Sequence, residues 1–135
     1  MKTIQLNYVT LKYEEPVVYL KFNSGVELGF PQMAELVFYA EKLSEKKPYV
    51  VLSDCREGVS ATPAGRKYSA QAKNSPLQRG TAVIVKSEFI KLAMDLFFGI
   101  QEPEFPYKVF TNEEEAINWL KSLQLENKID DLKQA

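Results

Sequence analysis

A chain of 135 residues, 45% hydrophobic and 26% charged, has the size and composition of one globular domain with a packed core, which excludes a disordered or fibrous polymer. Its 17 basic and 18 acidic residues leave a formal charge of -1, which excludes the broad cationic field that holds nucleic-acid phosphates. Histidine is absent and Cys55 is the only cysteine, so Ser-His-Asp and Cys-His catalysis, imidazole-ligated metals and an intramolecular disulfide are excluded; neither cofactor nor metal is expected.

Residues 3–9 and 17–22 carry β-branched and aromatic residues at strand density, with Glu14, Glu15 and Pro16 between them, and read as two antiparallel strands. The opening MKTIQLNYVT lacks a signal-peptide apolar run, and no segment reaches the roughly 20 apolar residues of a membrane span, so a cytoplasmic protein is expected. Asn23-Ser24-Gly25 is a turn whose glycine takes a positive φ, and Val26-Glu27-Leu28 reads as a short third strand. Pro31 suits a first helical turn, and Met33, Leu36, Val37, Ala40 and Leu43 follow at helical spacing, predicting an amphipathic helix over 31–46.

Tyr49-Val50-Val51-Leu52 has no polar alternation, as in a strand covered on both faces of a parallel sheet. The strand, helix and strand form a right-handed crossover unit. Thr62-Pro63 supplies an N-cap and a proline at the first helical position of a helix over about 63–74. Ala82-Val83-Ile84-Val85 is the second buried strand, and Ser87 caps a helix through about Phe98, with Gly99 ending it. After a loop over 101–106, Tyr107–Phe110 reads as a strand, and Thr111 with Glu114 as a capping box for a helix over 112–123 whose inner face carries Ala116, Trp119, Leu120 and Leu123. Glu113-Glu114-Glu115 complements that helix's dipole. Residues 1–123 are expected to form one domain and 124–135 a charged tail, helical or frayed.

The segments GVELGFPQMAELVFYAEKLSEKKPYVVLSDCREGVSATPAGRKYSA and TAVIVKSEFIKLAMDLFFGIQEPEFPYKVFTNEEEAINWLKSL, within about 16–123, resemble the small bacterial proteins described as STAS/SEC14-like or SpoIIAA-like. The resemblance rests on the strand ending in Ser53-Asp54, on Phe97-Phe98-Gly99 leading to Phe105-Pro106, and on Phe110-Thr111 followed by Glu113-Glu114-Glu115-Ala116 and Trp119-Leu120. It implies an α/β fold of the SpoIIAA-like (STAS) type, a central mixed but mostly parallel sheet of four or five strands with about four helices. In the anti-sigma-factor antagonists of that family, a kinase phosphorylates a Ser or Thr at the start of the helix after the strand ending in Asp, within a motif reading roughly Asp-Ser-Ser-Gly. Here Val59-Ser60-Ala61-Thr62-Pro63-Ala64-Gly65 occupies that region, with no Asp before the hydroxyl residue and a proline after Thr62.

Ser60 and Thr62 are therefore candidate phosphoacceptors, with Asp54, Arg56, Arg66 and Lys67 in support; alternatively Thr62 is an N-cap, Ser60 a loop residue and Asp54 a cap or brace for the loop to Thr62. Cys55 reads as a small buried hydrophobe, with no base to activate it. The helix after Ser87 has more apolar positions than one sheet-facing stripe needs, which marks Phe89, Met94, Phe97 and Phe98 as an interface or pocket wall, unless the 101–106 loop and the last helix cover them. The expected function is a non-catalytic regulatory module binding a protein partner (a regulator or kinase) or a second copy of itself, with no nucleic acid and no membrane span; the alternative is an apolar-ligand or lipid-binding domain. A flat, exposed helix N-terminus favours the first and a cavity lined by Phe and Met the second.

Overall fold

The computed structural model describes the backbone of residues 2–98 and 103–134, and the side chains of 2–94, 103–123, 132 and 133. Eight strands are present among the described residues: β1 Lys2–Gln5, β2 Val9–Glu14, β3 Val17–Phe22, β4 Val26–Leu28, β5 Tyr49–Asp54, β6 Val59–Ala61, β7 Gln78–Ile84 and β8 Tyr107–Phe110. The helices are α1 Phe30–Leu43, α2 Pro63–Ala70, α3 Glu88–Phe98 and α4 Glu113–Gln134, with a 3-10 turn at Ala72–Asn74. No helix among the described residues is long and apolar enough to cross a membrane.

The main sheet has six strands in the order β1-β2-β3-β5-β7-β8, antiparallel from β1 to β3 and parallel from β3 onward. It is wider than the four or five strands expected, because Val9–Glu14 forms a strand of its own where the sequence reading ended the first strand at Val9. Each crossover from β3 through α1, α2 and α3 to β8 advances one strand in the same direction. With one handedness of crossover, the three helices fall on one face. α4 covers the opposite face.

Pleating divides the core accordingly. On the α4 side, Val50, Leu52, Ala82, Ile84 and Phe110 pack against Ala116, Leu120 and Leu123. On the other side, Val18, Leu20 and Phe22 of β3 and Tyr49 and Val51 of β5 meet Leu36, Ala40 and Leu43 of α1. The six residues expected at the centre of the sheet, Val50, Val51, Leu52, Val83, Ile84 and Val85, are all at most 7% exposed, as apolar runs covered on both faces require.

β4 and β6 pair in parallel as a separate two-stranded sheet, Leu28 opposite Ala61. α1 and α2 start directly from these strands, at Gly29 and Thr62, so their first turns lie side by side. Gly25, at φ 72°, closes the turn before β4 in the conformation its sequence position predicts.

Of two helix starts with expected caps, one holds and one is shifted. Ser87 does cap α3, its Oγ accepting from the Ile90 N–H at 3.3 Å. At α4 the cap is Asn112, whose Oδ1 accepts from the Glu115 N–H at 3.0 Å, while the Thr111 hydroxyl donates to Glu88 at 2.9 Å. The cap thus stands one residue after the expected Thr111, because Asn112 is an equally good capping residue and leaves Thr111 to tie α4 to α3.

Candidate functional site

A partly enclosed cavity of about 430 Å³ lies between the sheet and the three crossover helices. Its floor is the inward-facing row of β3, β5, β7 and β8, including Leu20, Val51, Val83 and Tyr107. α1 contributes Met33, Leu36 and Val37, α2 contributes Arg66, Tyr68 and Ser69, and α3 contributes Ile90 and Met94, with Pro103 and Phe105 from the loop beyond. The volume falls within the range of small-molecule sites, and such a wall of aliphatic, Phe and Met side chains with a few polar groups is what those sites are built from.

Polar side chains around the cavity are mostly engaged within the protein. The Ser69 hydroxyl donates to the Arg66 carbonyl at 3.1 Å, Asn74 donates to the Tyr68 carbonyl at 2.9 Å, and Gln78 donates to the Thr81 hydroxyl. Arg66 is half-buried and its Nη1 donates to the Ala61 carbonyl of β6 at 2.6 Å. Cys55 also lines the cavity; burial, aided by the nearby Asp54 charge, pushes its thiol up to about 12, so it stands there as a neutral, inert group.

Of the phosphoacceptor candidates, Thr62 is the N-cap of α2. Its Oγ1 accepts from the Gly65 N–H at 3.0 Å, and its own N–H donates to the Leu28 carbonyl at 3.0 Å. Ser60 is exposed on β6, at the border of the cavity, and Lys67 is exposed on α2.

Asp54 ends β5 on the α4 side of the sheet, away from the cavity. Its carboxylate accepts from the Arg56 backbone N–H at 3.1 Å, from Arg56 Nε at 3.0 Å and Nη2 at 2.7 Å, and from Lys21 Nζ at 3.0 Å. Asp54 therefore braces the β5 exit to β3, and not to the Thr62 segment; Arg56 also reaches Glu113 of α4 at 3.9 Å. The Arg56 hydrogen bonds, reinforced by Lys21, hold the Asp54 carboxyl far below the usual carboxylate range despite burial. A depressed folded-state value contributes stability that is complete above the unfolded value of about 4 and is lost as pH falls below it. Because the Asp54 side chain is 10% exposed but Arg56 is 41% and Lys21 55% exposed, solvent screens the cluster. Asp54→Asn is expected to cost about 1–2 kcal/mol at pH 7 in urea unfolding, and the gap from the unaltered protein should close as pH falls from about 4 towards 2. A gap independent of pH would show that packing, not charge, makes this residue matter.

The α3 candidates separate. Phe89 and Leu92 are exposed at 80% and 59%, whereas Met94 and Ile90 turn to the cavity. Phe97 and Phe98 lie in α3, but their side chains are outside the described residues. The sequence reading missed the strand-borne floor, Leu20, Phe22, Val51, Ser53 and Tyr107; its signal is the alternate positions of β3, β5 and β8, which only the sheet order assembles. Among the described residues, no three His, Cys, Asp or Glu side chains stand close enough to hold a metal ion.

A mixed sheet with three crossover helices on one face and a closing helix on the other is the SpoIIAA-like α/β architecture that the resemblance implied. A solved structure of an uncharacterized DUF3478-family protein with a SpoIIAA-like fold, from Shewanella loihica PV-4, is similar at TM-score 0.53 and 18% identity, over 83% of this chain and 91% of that one. That likeness carries the fold alone. The chain belongs to the family described as "Domain of unknown function (DUF7793)", which matches residues 11–124. No match is found among curated proteins.

Proposed function

We propose that this domain binds a small, largely apolar molecule in the cavity between the sheet and α1–α3. The observation that supports this is the cavity itself, about 430 Å³ and lined by Phe22, Met33, Met94 and Phe105 beside aliphatic residues. A monomeric core of this size ordinarily closes on itself, with few voids larger than a water molecule. A partly enclosed cavity this large leaves its apolar walls facing solvent unless a ligand covers them. Between a regulatory interaction module and a ligand-binding domain, such a chamber favours the second. Ser60, exposed beside the start of α2, is what remains in favour of a phosphorylation-controlled interface.

The test is native mass spectrometry of the protein taken from cells, joined to a thermal-shift titration with dodecanol. The expected result is a retained small-molecule mass, or a saturable rise in Tm with dodecanol equivalent to about 2.7 kcal/mol at a hundredfold excess over Kd. Ser53→Phe, which fills the floor of the cavity from β5, should abolish both while leaving the protein folded. A ligand-free mass and no saturable shift in the unaltered protein would overturn the reading. An added phosphate, or a doubled mass, would transfer the case to the interaction module.

A further inference from the structure

Resting on the cavity as a binding site, we infer that its ligand carries a hydrogen-bond-accepting oxygen at one end, held by the Tyr49 hydroxyl. Tyr49 opens β5 and lines the cavity, and at 1% exposure its side chain has next to no contact with the solvent outside. Among the described residues its hydroxyl has no hydrogen-bond partner. Tyr13 makes the contrast: its hydroxyl is sealed in the packing without a partner, whereas the Tyr49 oxygen borders open space, and the space that Tyr49 lines is the cavity. Buried hydroxyls are hydrogen-bonded as a rule, because an unpaired one forfeits the bond it had with water. The partner of this hydroxyl therefore has to come from what occupies the cavity.

A second hydroxyl stands at the same end. Ser75 is buried, lines the cavity and has no partner for its hydroxyl among the described residues. It belongs to the turn that enters β7, where the Leu77 carbonyl accepts from the Tyr49 N–H at 2.9 Å. Burial, with Glu41 and Tyr68 adding to it, holds the Tyr49 phenol above its ordinary value, so the group is a neutral O–H donor throughout the physiological range. Away from this end the floor is aliphatic, with Val51 along β5 and Val18 and Leu20 along β3, and offers an alkyl chain only dispersion and desolvation. From Tyr49 to Cys55, just past the end of β5, the cavity follows about 20 Å of extended strand, which is room for a chain of about ten carbons with its oxygen at Tyr49.

The test measures binding of decanol, methyl nonanoate, decanoate and decyl chloride by equilibrium dialysis, to the unaltered protein and to Tyr49→Phe. The first three present an oxygen, and the fourth is an apolar counterpart of similar size. At least one oxygen-bearing ligand should bind about 10-fold tighter than decyl chloride, and the tightest identifies the oxygen as that of a hydroxyl, an ester or a carboxylate. Tyr49→Phe should bring that ligand to within about threefold of decyl chloride and leave decyl chloride binding unchanged. Without ligand, Tyr49→Phe should melt at the same temperature as the unaltered protein or higher, since the lost hydroxyl has no partner in the protein. A lower Tm would show that it has one, and would overturn the inference. The comparison of ligands in the unaltered protein needs no variant. Decyl chloride binding as tightly as the other three, or a preference that survives Tyr49→Phe, would overturn the oxygen held by Tyr49 and leave the cavity reading standing. If none of the four binds, both fall.

Discussion

Truncating Ile84 to alanine is expected to destabilise the protein by about 2–5 kcal/mol. Ile84 is fully buried in β7, with Asp54 of β5 on one side and Phe110 of β8 on the other. Its side chain points to the α4 face, among Leu52, Ala82, Phe110 and Leu120. Strands hydrogen-bonded on both edges cannot close over the lost ethyl and methyl groups, which places the cost in the upper half of that range. Val83, the preceding residue, faces the cavity instead, where the wall already lacks partners on one side. Val83→Ala should therefore cost less than Ile84→Ala by at least about 1 kcal/mol. Conversely, Val83→Ala should alter ligand binding and Ile84→Ala should not. Urea unfolding of both variants at 25 °C checks the order, and equal losses would refute the division of the core into two faces.

The parts of the fold legible in the sequence are those whose physics is local. The unbroken apolar runs at Val50–Leu52 and Val83–Val85 announce strands covered on both faces, and both are buried. Thr62 followed by Pro63 announces a helix start, and Thr62 caps it. What stayed hidden depends on pairings distant in the chain. β6 is three residues long, and its partner β4 lies more than thirty positions earlier. Three residues are too few for a period to show, so the stretch read as loop. The break at Glu15-Pro16 falls where the sequence puts it, between β2 and β3; the turn at 6–8 that separates β1 from β2 is hidden because it has neither glycine nor proline to mark it.

The site was legible in one respect only. α3 has more apolar residues than a sheet-facing stripe needs, and Ile90 and Met94 indeed turn to a chamber in place of a filled core. The chamber itself is set by how three helices and a loop meet over the sheet, and no window of sequence carries that. By sequence Arg66 reads as a phosphate partner for a loop hydroxyl. Only the packing of α2 over the sheet shows that it lines an apolar cavity with no other charged residue among the described walls.

Gly65→Ala is expected to destabilise the protein by about 1–3 kcal/mol, and Gly65→Val by more. In an ordinary helix the first change would be favourable by nearly 1 kcal/mol, because alanine is the better helix former. Here the sign should reverse. A Cβ at position 65 would stand 2.4 Å from the Leu28 carbonyl oxygen and 3.2 Å from the Gly29 carbonyl carbon. These are backbone atoms and cannot swing aside as the end of a side chain can. They are fixed from behind as well, since Leu28 pairs with Ala61 in the small sheet and its oxygen accepts from the Thr62 N–H. Relief can come only by moving the start of α2 away from the start of α1. Both helices wall the cavity, and Arg66 is the next residue, so the displacement should also weaken ligand binding in the same variant. Thermal unfolding of Gly65→Ala with and without dodecanol reads both effects. If the alanine variant is as stable as the unaltered protein, the close approach of α1 and α2 does not constrain this position. If stability falls while binding is untouched, the helix starts and the cavity walls move independently.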